Sequence, residues 1–181
     1  MSTYSPVLTN PSDIPDYICE WILKEFDTSN LVSGGVEGSN SKLRSSKIAF
    51  IDQEHWISGV LYHYLKMAND FNFGYDINGI ENPQLTEYKE GQYYDWHMDY
   101  SPIKGSQSSF RKLSVTVQLS DEKSYGGGEL EFLLSNGKLM RASKRRGSIT
   151  VFDSRTSHRV TEVTSGTRKS LVAWFYGPPL R

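Results

Sequence analysis

The chain has a single cysteine, Cys19, among 181 residues. With no second thiol, no intrachain disulfide can form, so a disulfide-framed secreted scaffold is excluded, and a C-x-x-C zinc site with it. No apolar run approaches the ~18 residues expected of a membrane-spanning helix. The first residues lack the basic-then-apolar layout of a secretory signal, so a soluble, cytoplasmic protein is expected. An excess of charge is missing too: 20 Lys and Arg stand against 21 Asp and Glu, for a net charge of -1. Neither nucleic acid nor a membrane surface is therefore expected as the main partner. No internal repeat is present. A chain of this length fits one domain and can bury a core without staples.

Two helical patterns come first. Ser12 to Phe26 has Ser12 or Asp13 to cap it, Pro15 in its first turn, and Ile14, Ile18, Trp21 and Ile22 at helical spacing. Cys19 falls inside it and is expected to be a buried thiol. Asp27 to Lys47 is rich in Ser, Gly and Asn and reads as a mobile surface loop, either linker or substrate lid. A second helix is expected from Asp52 to Phe71, capped by Asp52, with Trp56, Val60, Leu61, Tyr64, Leu65 and Met67 turned to the core. Residues 1–72 thus form a helical support with a loop, and residues 73–177 a core of short strands. His55 and His63 are assigned to the solvated face of the second helix, since neither has a carboxylate at zinc-site spacing.

From Phe73 onward, short β-type segments are separated by Gly, Pro, Asn and Asp, the punctuation of a sandwich, barrel or jelly roll. Leu113 to Leu119 alternates strictly, with Leu113, Val115, Val117 and Leu119 on one face and Ser114, Thr116 and Gln118 on the other. A polar inner face suits a barrel that holds a polar ligand. After Gly126-Gly127-Gly128 come strand patterns at 129–134, 138–142 and 148–152, with Asn136-Gly137 as a hairpin turn. The last strand, 168–176, places Arg168, Ser170, Val172, Trp174 and Tyr176 on one face and Lys169, Leu171, Ala173 and Phe175 on the other.

Within this frame stands His97-Met98-Asp99, followed far downstream by His158 and, ten residues later, Arg168. In an extended segment residues two apart point the same way, so His97 and Asp99 can face one interior point. A lone His-x-Asp is common and serves equally as a hydrogen-bonded pair. Two imidazoles and one carboxylate, however, can occupy one face of an octahedral metal and leave the other open, which suits a non-haem Fe(II) oxygenase. Arg168 would offer a planar, permanent charge to a carboxylate-bearing cosubstrate, and an inward arginine without an anion would be costly. Gln118 and Ser170 could supplement it.

The segment with Tyr88, Gly91, Tyr94, His97 and Asp99 resembles the Y-x-x-G-x-x-Y-x-x-H-x-D entry of prolyl 4-hydroxylase-like 2-oxoglutarate and Fe(II)-dependent dioxygenases. LSVTVQLSDEKSYGGGEL at 113–130 and HRVTEVTSGTR at 158–168 are similar to the PKHD-type hydroxylases of that branch. The resemblance covers about residues 73–176. It implies a double-stranded β-helix, a cupin-like jelly roll of the α+β class with N-terminal helices against its larger sheet. It implies Fe(II) on His97, Asp99 and His158, and 2-oxoglutarate held by Arg168 with Tyr88 lining its pocket. O2 is the oxidant and ascorbate the reductant. Gln118 departs from a position that is often tyrosine, and Trp174 aligns with an aromatic near the iron.

The implied reaction hydroxylates an unactivated C–H bond, with succinate and carbon dioxide released; a prolyl residue in a peptide or protein is the expected substrate. Tyr94, Trp96, Tyr100, Arg155 and Trp174 are candidates to contact it, although ordinary packing explains Tyr94, Trp96 and Tyr100 equally well and a surface role explains Arg155. Two alternatives stay open: oxidation of a free amino acid or small metabolite, and a non-catalytic cupin-like metal-binding or sensing module. Nucleic-acid demethylation is disfavoured, because its enzymes carry a second arginine where this chain has Trp174.

Overall fold

The computed structural model describes residues 5–10, 14–34 and 43–179. Strand β1 (Val7–Asn10) precedes helix α1 (Asp16–Thr28), and β2 (Val32–Ser33), β3 (Arg44–Ser45) and β4 (Lys47–Phe50) lead to helix α2 (Trp56–Ala68). Then follow β5 (Gly79–Ile80), β6 (Gln84–Lys89), β7 (Tyr93–His97), β8 (Phe110–Gln118) and β9 (Tyr125–Gly127). The chain closes with β10 (Leu130–Leu133), β11 (Leu139–Arg141), β12 (Ile149–Asp153), β13 (Ser157–Val160) and β14 (Val163–Gly177). A larger sheet runs β1-β12-β8-β14-β6-β4-β2, and a smaller one β11-β10-β13-β7-β3. Facing each other, they make the mainly antiparallel double-stranded β-helix, with two helices outside.

The alternation along β8 and β14 decides what each face does. Leu113, Val115, Val117, Leu171, Ala173 and Phe175 are fully buried on the outer face of the larger sheet, where Ile22 and Phe26 of α1 and Ile57, Leu61 and Leu65 of α2 cover them. The opposite faces of these strands carry Ser114, Thr116, Arg168, Ser170 and Trp174 toward the smaller sheet. Between the sheets a second apolar cluster of Val7, Tyr88, Leu130, Phe132, Phe152, Val160 and Val163 surrounds the polar centre. The helices therefore brace one side of the sheet whose other side holds the chemistry.

Both helices differ in detail from the expected spans. Helix α1 begins at Asp16, with Pro15 at its N-cap and no side-chain cap bond; Ser12 and Asp13 lie outside the described residues. Trp21 is exposed rather than part of the buried stripe. Helix α2 starts at Trp56 and is capped by His55, whose ring accepts from the Ile57 N–H, while Asp52 instead accepts from the Glu54 N–H in the preceding turn. His55 also lies 3.5 Å from Glu25, which ties the start of α2 to α1. A π-helical turn, Asn69–Phe73, ends α2. The expected loop at 27–47 contains β2 and β3, and its centre at 35–42 lies outside the described residues.

The register of α2 also separates two residues that its pattern grouped together, because Leu65 is 1% exposed and Met67 58%. Leu65→Ala is expected to cost about 2–5 kcal/mol, and Met67→Ala within about 0.5 kcal/mol, in urea unfolding.

Candidate metal centre

Strands β13 and β7 pair so that His158 faces His97 directly. Two residues farther along β13, Val160 faces Tyr94, which is three residues back along β7. β7 therefore carries one extra residue, a β-bulge, and residues of opposite parity, Tyr94 and His97, end on the same inner face. The two rings stack at 3.6 Å between centroids. Beyond the end of β7, the N–H groups of Asp99 and Tyr100 both donate to the Ser154 carbonyl at 2.9 Å. This clip brings the carboxylate beside the two imidazoles.

The histidines are oriented by one device used twice. His97 Nδ1 lies 2.8 Å from the Asp95 carbonyl and His158 Nδ1 2.9 Å from the Thr156 carbonyl. A carbonyl only accepts, so each Nδ1 carries the proton and each Nε2 presents its lone pair. The Nε2 atoms stand 3.7 Å and 3.5 Å from the Asp99 carboxylate oxygens, and one ligand atom from each residue lies within 4.8 Å of the others. These separations leave room for an ion between the donors. Ser114 donates to Asp99 Oδ2 at 2.7 Å and contacts Ser154 at 3.0 Å, so the carboxylate is fixed with Oδ2 toward His158 and Oδ1 toward His97.

Electrostatics keep the donors in ligand-ready forms. Burial, reinforced by the neighbouring His158, lowers the His97 pKa to about 4. Burial alone would raise the Asp99 pKa, but His158, His97, the Ser114 hydroxyl and the Trp174 indole together hold it below the ordinary value. A neutral imidazole beside a carboxylate is the state that binds a divalent cation. Phe152 and Phe132 pack around His158, shielding it from water.

These residues open on a cavity that is also bordered by Arg44, Gln84, Thr86, Tyr88, Tyr94, Thr116, Arg168, Ser170 and Trp174. Arg168 is 4% exposed and its Nη1 donates to Ser170 Oγ at 3.1 Å, with the Tyr88 ring 5.6 Å away. Among the described residues no carboxylate forms an ion pair with it. Trp174 is held from outside by Arg111, whose guanidinium lies 4.1 Å from the indole while making two hydrogen bonds to Glu81.

Four of the residues singled out in the sequence lie off this cavity. Gln118 borders a smaller space on the far side of Arg168, and its amide donates to the Ser120 carbonyl. Trp96 points outward, beneath Arg159 at 4.7 Å. Tyr100 stacks on Phe110, and Arg155 is engaged with Asp153 and the Tyr75 hydroxyl. Two residues emerge that sequence reasoning had not selected. Tyr125, from β9, shares the smaller space with Arg168. Its buried hydroxyl has no hydrogen-bond partner among the described residues, and Arg168 lies near enough to act on it electrostatically. Gly128 makes this packing possible: at φ +63° a Cβ would sit 3.0 Å from the Arg168 side chain and 3.1 Å from the Tyr125 ring. The second residue is Arg44, from β3.

The His97 pKa has a measurable consequence in the metal-free protein. Between the ordinary value of 6.5 and about 4, the unfolded chain binds a proton at His97 that the folded chain does not. Stability is therefore expected to fall as pH drops through that window. Melting temperatures recorded in chelator should show this slope, and His97→Gln should reduce it; an unchanged slope would contradict the burial argument.

Residues 83–176 match the 2OG-Fe(II) oxygenase superfamily. A PKHD-type hydroxylase of Pseudoalteromonas atlantica is 35% identical over 54% of this chain and 44% of its own length. Another from Acaryochloris marina is 31% identical over 75% of this chain and 58% of its own. The chain thus spans about half the length of these curated relatives. Among solved structures, a Pseudomonas putida prolyl-4-hydroxylase superposes with a TM-score of 0.75 at 19% identity, covering 94% of this chain and 91% of that one. A Trichoplax adhaerens prolyl hydroxylase, solved with a hypoxia inducible factor peptide fragment, gives 0.76 at 18% identity, covering 94% and 83%.

Proposed function

Because the chain belongs to the 2OG-Fe(II) oxygenase superfamily, we propose that it is a 2-oxoglutarate-dependent dioxygenase that hydroxylates an unactivated carbon. Its favoured substrate is a prolyl residue in a peptide. The observation that carries this reading is the convergence of His97, Asp99 and His158 on one cavity with an otherwise unmatched, buried Arg168. The donor set fits Fe(II): two neutral nitrogens and one carboxylate, with space opposite them. Bound Fe(II), with 2-oxoglutarate and O2, supplies the oxidising chemistry and yields succinate and carbon dioxide, and ascorbate serves as reductant.

The side chains position and exclude. Arg168 offers its fork to the distal carboxylate of 2-oxoglutarate and sets the direction in which that molecule lies. Tyr125 adds a hydroxyl donor at the same end, in the place where Gln118 was expected from the sequence. Tyr88 and Ser170 form the wall of the passage between Arg168 and the histidines. Trp174, clamped by Arg111, and Tyr94, stacked on His97, close two sides of the metal centre against bulk water. Tyr94 stays protonated, since burial pushes its pKa up to about 12, so it offers a neutral donor and no competing anion. No side chain is required as a general base.

Two outcomes test this reading. Purified protein given Fe(II), 2-oxoglutarate and ascorbate with prolyl peptides should form succinate and a product 16 Da heavier, and His97→Ala should lower both at least 100-fold. Equal succinate from the two proteins would refute the proposal. Arg168→Ala should raise the KM for 2-oxoglutarate at least tenfold, and Tyr125→Phe by about ten- to a hundredfold, the loss of one hydrogen bond to a charged group.

A further inference from the structure

One charge on the cavity wall has no place in that scheme. Arg44 borders the same cavity as His97, Asp99, His158 and Arg168. It is held from three sides. Its Nε donates to the buried Ser46 Oγ at 2.8 Å. Its guanidinium lies over the Tyr94 ring at 4.7 Å, and the strand that bears it pairs with β7 at Tyr94 itself. On the third side is Gly34, where a Cβ would meet Arg44 Nε at 3.1 Å and Ser46 Oγ closer still. An arginine fixed in this way has already lost much of the side-chain freedom that binding would cost.

What it is fixed for follows from charge. Asp99 is the one carboxylate among the residues bordering the cavity, and it is matched with the two histidines. Among the described residues no carboxylate forms an ion pair with Arg44. When the site is loaded, the divalent metal and the two arginines face the doubly charged 2-oxoglutarate and Asp99, and one positive charge is left over. In that reading both carboxylates of 2-oxoglutarate would be committed, one at the metal held by His97, Asp99 and His158 and one at Arg168. The remaining molecule that enters is the prime substrate. With Nε engaged by Ser46 and the Tyr88 hydroxyl within hydrogen-bond reach of the guanidinium, Arg44 still keeps terminal N–H donors that can take a carboxylate.

We propose that Arg44 receives a carboxylate of the prime substrate, so that the molecule oxidised carries an anionic group close to the carbon presented to the metal. The inference rests on the 2-oxoglutarate and Fe(II) reading of the site. It narrows the substrate to a prolyl unit with a free α-carboxylate, at a peptide C-terminus or in the free amino acid, or to one beside an acidic side chain.

The test is a binding measurement that needs no turnover. Protein loaded with Zn(II) and 2-oxoglutarate is titrated calorimetrically with Gly-Ala-Pro in its carboxylate and carboxamide forms, with free proline, and with Glu-Pro carboxamide. The carboxylate tripeptide should bind wild type at least tenfold more tightly than the carboxamide. Arg44→Gln should bring the two within about twofold of each other, and Arg44→Lys should keep part of the preference. Free proline binding as well as the tripeptide supports the proposal and identifies the amino acid as the source. Binding confined to Glu-Pro carboxamide supports it and identifies the acidic side chain. Measurable but equal affinity of wild type for both tripeptide forms, a preference that survives in Arg44→Gln, or no binding of any probe overturns it. Should Arg44→Gln fail to fold, as its melting temperature will show, the wild-type comparison and Arg44→Lys decide. Failure of the underlying reading is seen separately, as 2-oxoglutarate binding to Zn(II)-loaded Arg168→Ala no more weakly than to wild type.

Discussion

Each imidazole of the centre is tied to a carbonyl two residues upstream on its own chain, His97 to Asp95 and His158 to Thr156. Everything else at the site depends on this pair of bonds. They settle the tautomer, so that both Nε2 lone pairs point inward, and they use only backbone, that of β7 at Asp95 and of the turn before β13 at Thr156. The cross-strand register of β7 and β13 then brings the two rings together, and Ser154 draws Asp99 in beside them. No additional carboxylate is needed to orient either ring. The centre consequently carries a single negative charge, and the positive charges around it are free to act on ligands.

This sparing use of acid shapes the whole cavity. Most of the other described arginines are paired: Arg111 with Glu81, Arg141 and Arg159 with Glu131, Arg155 with Asp153. Glu131 is itself 2% exposed and bridges two arginines on the outside of the smaller sheet. Against that background, Arg168 and Arg44 stand out. Arg168 is buried with a hydroxyl for a partner, which is costly unless something anionic arrives, while Arg44 is half-buried over the Tyr94 ring. The fold thus spends stability on charges that are compensated only when the small molecules are present, an arrangement common at functional sites.

Much of this was legible in the sequence, wherever a simple period governs the structure. Strict alternation in 113–119 and 168–176 separated the core face from the cavity face residue by residue, because both strands lie deep in an antiparallel sheet with one apolar and one polar side. The His-x-Asp spacing works for the same reason. Periodicity could not reveal the bulge in β7, which breaks alternation between Tyr94 and His97. Trp21, Trp56 and Met67 were misplaced, all three being exposed, because an apolar side chain at helical spacing does not say how far the buried stripe extends. Tyr125 was hidden by position: it stands beside Arg168 only because three glycines fold β9 and its following turn against β14. Arg44 carried no local signal at all, as it follows a Ser- and Gly-rich stretch and acquires meaning only through the pairing of β3 with β7.

The bulge in β7 also bears on how such a site can change over time. In a regular strand, losing one residue shifts every later side chain to the other face, and gaining one does the same. Here the extra residue between Tyr94 and His97 is what lets both face inward. A deletion there would restore a regular ladder and would turn either the aromatic or the metal ligand out of the cavity. Substitutions can therefore accumulate along β7 while its length stays frozen, and new specificities at this centre have to arise by exchanging side chains or remodelling loops elsewhere.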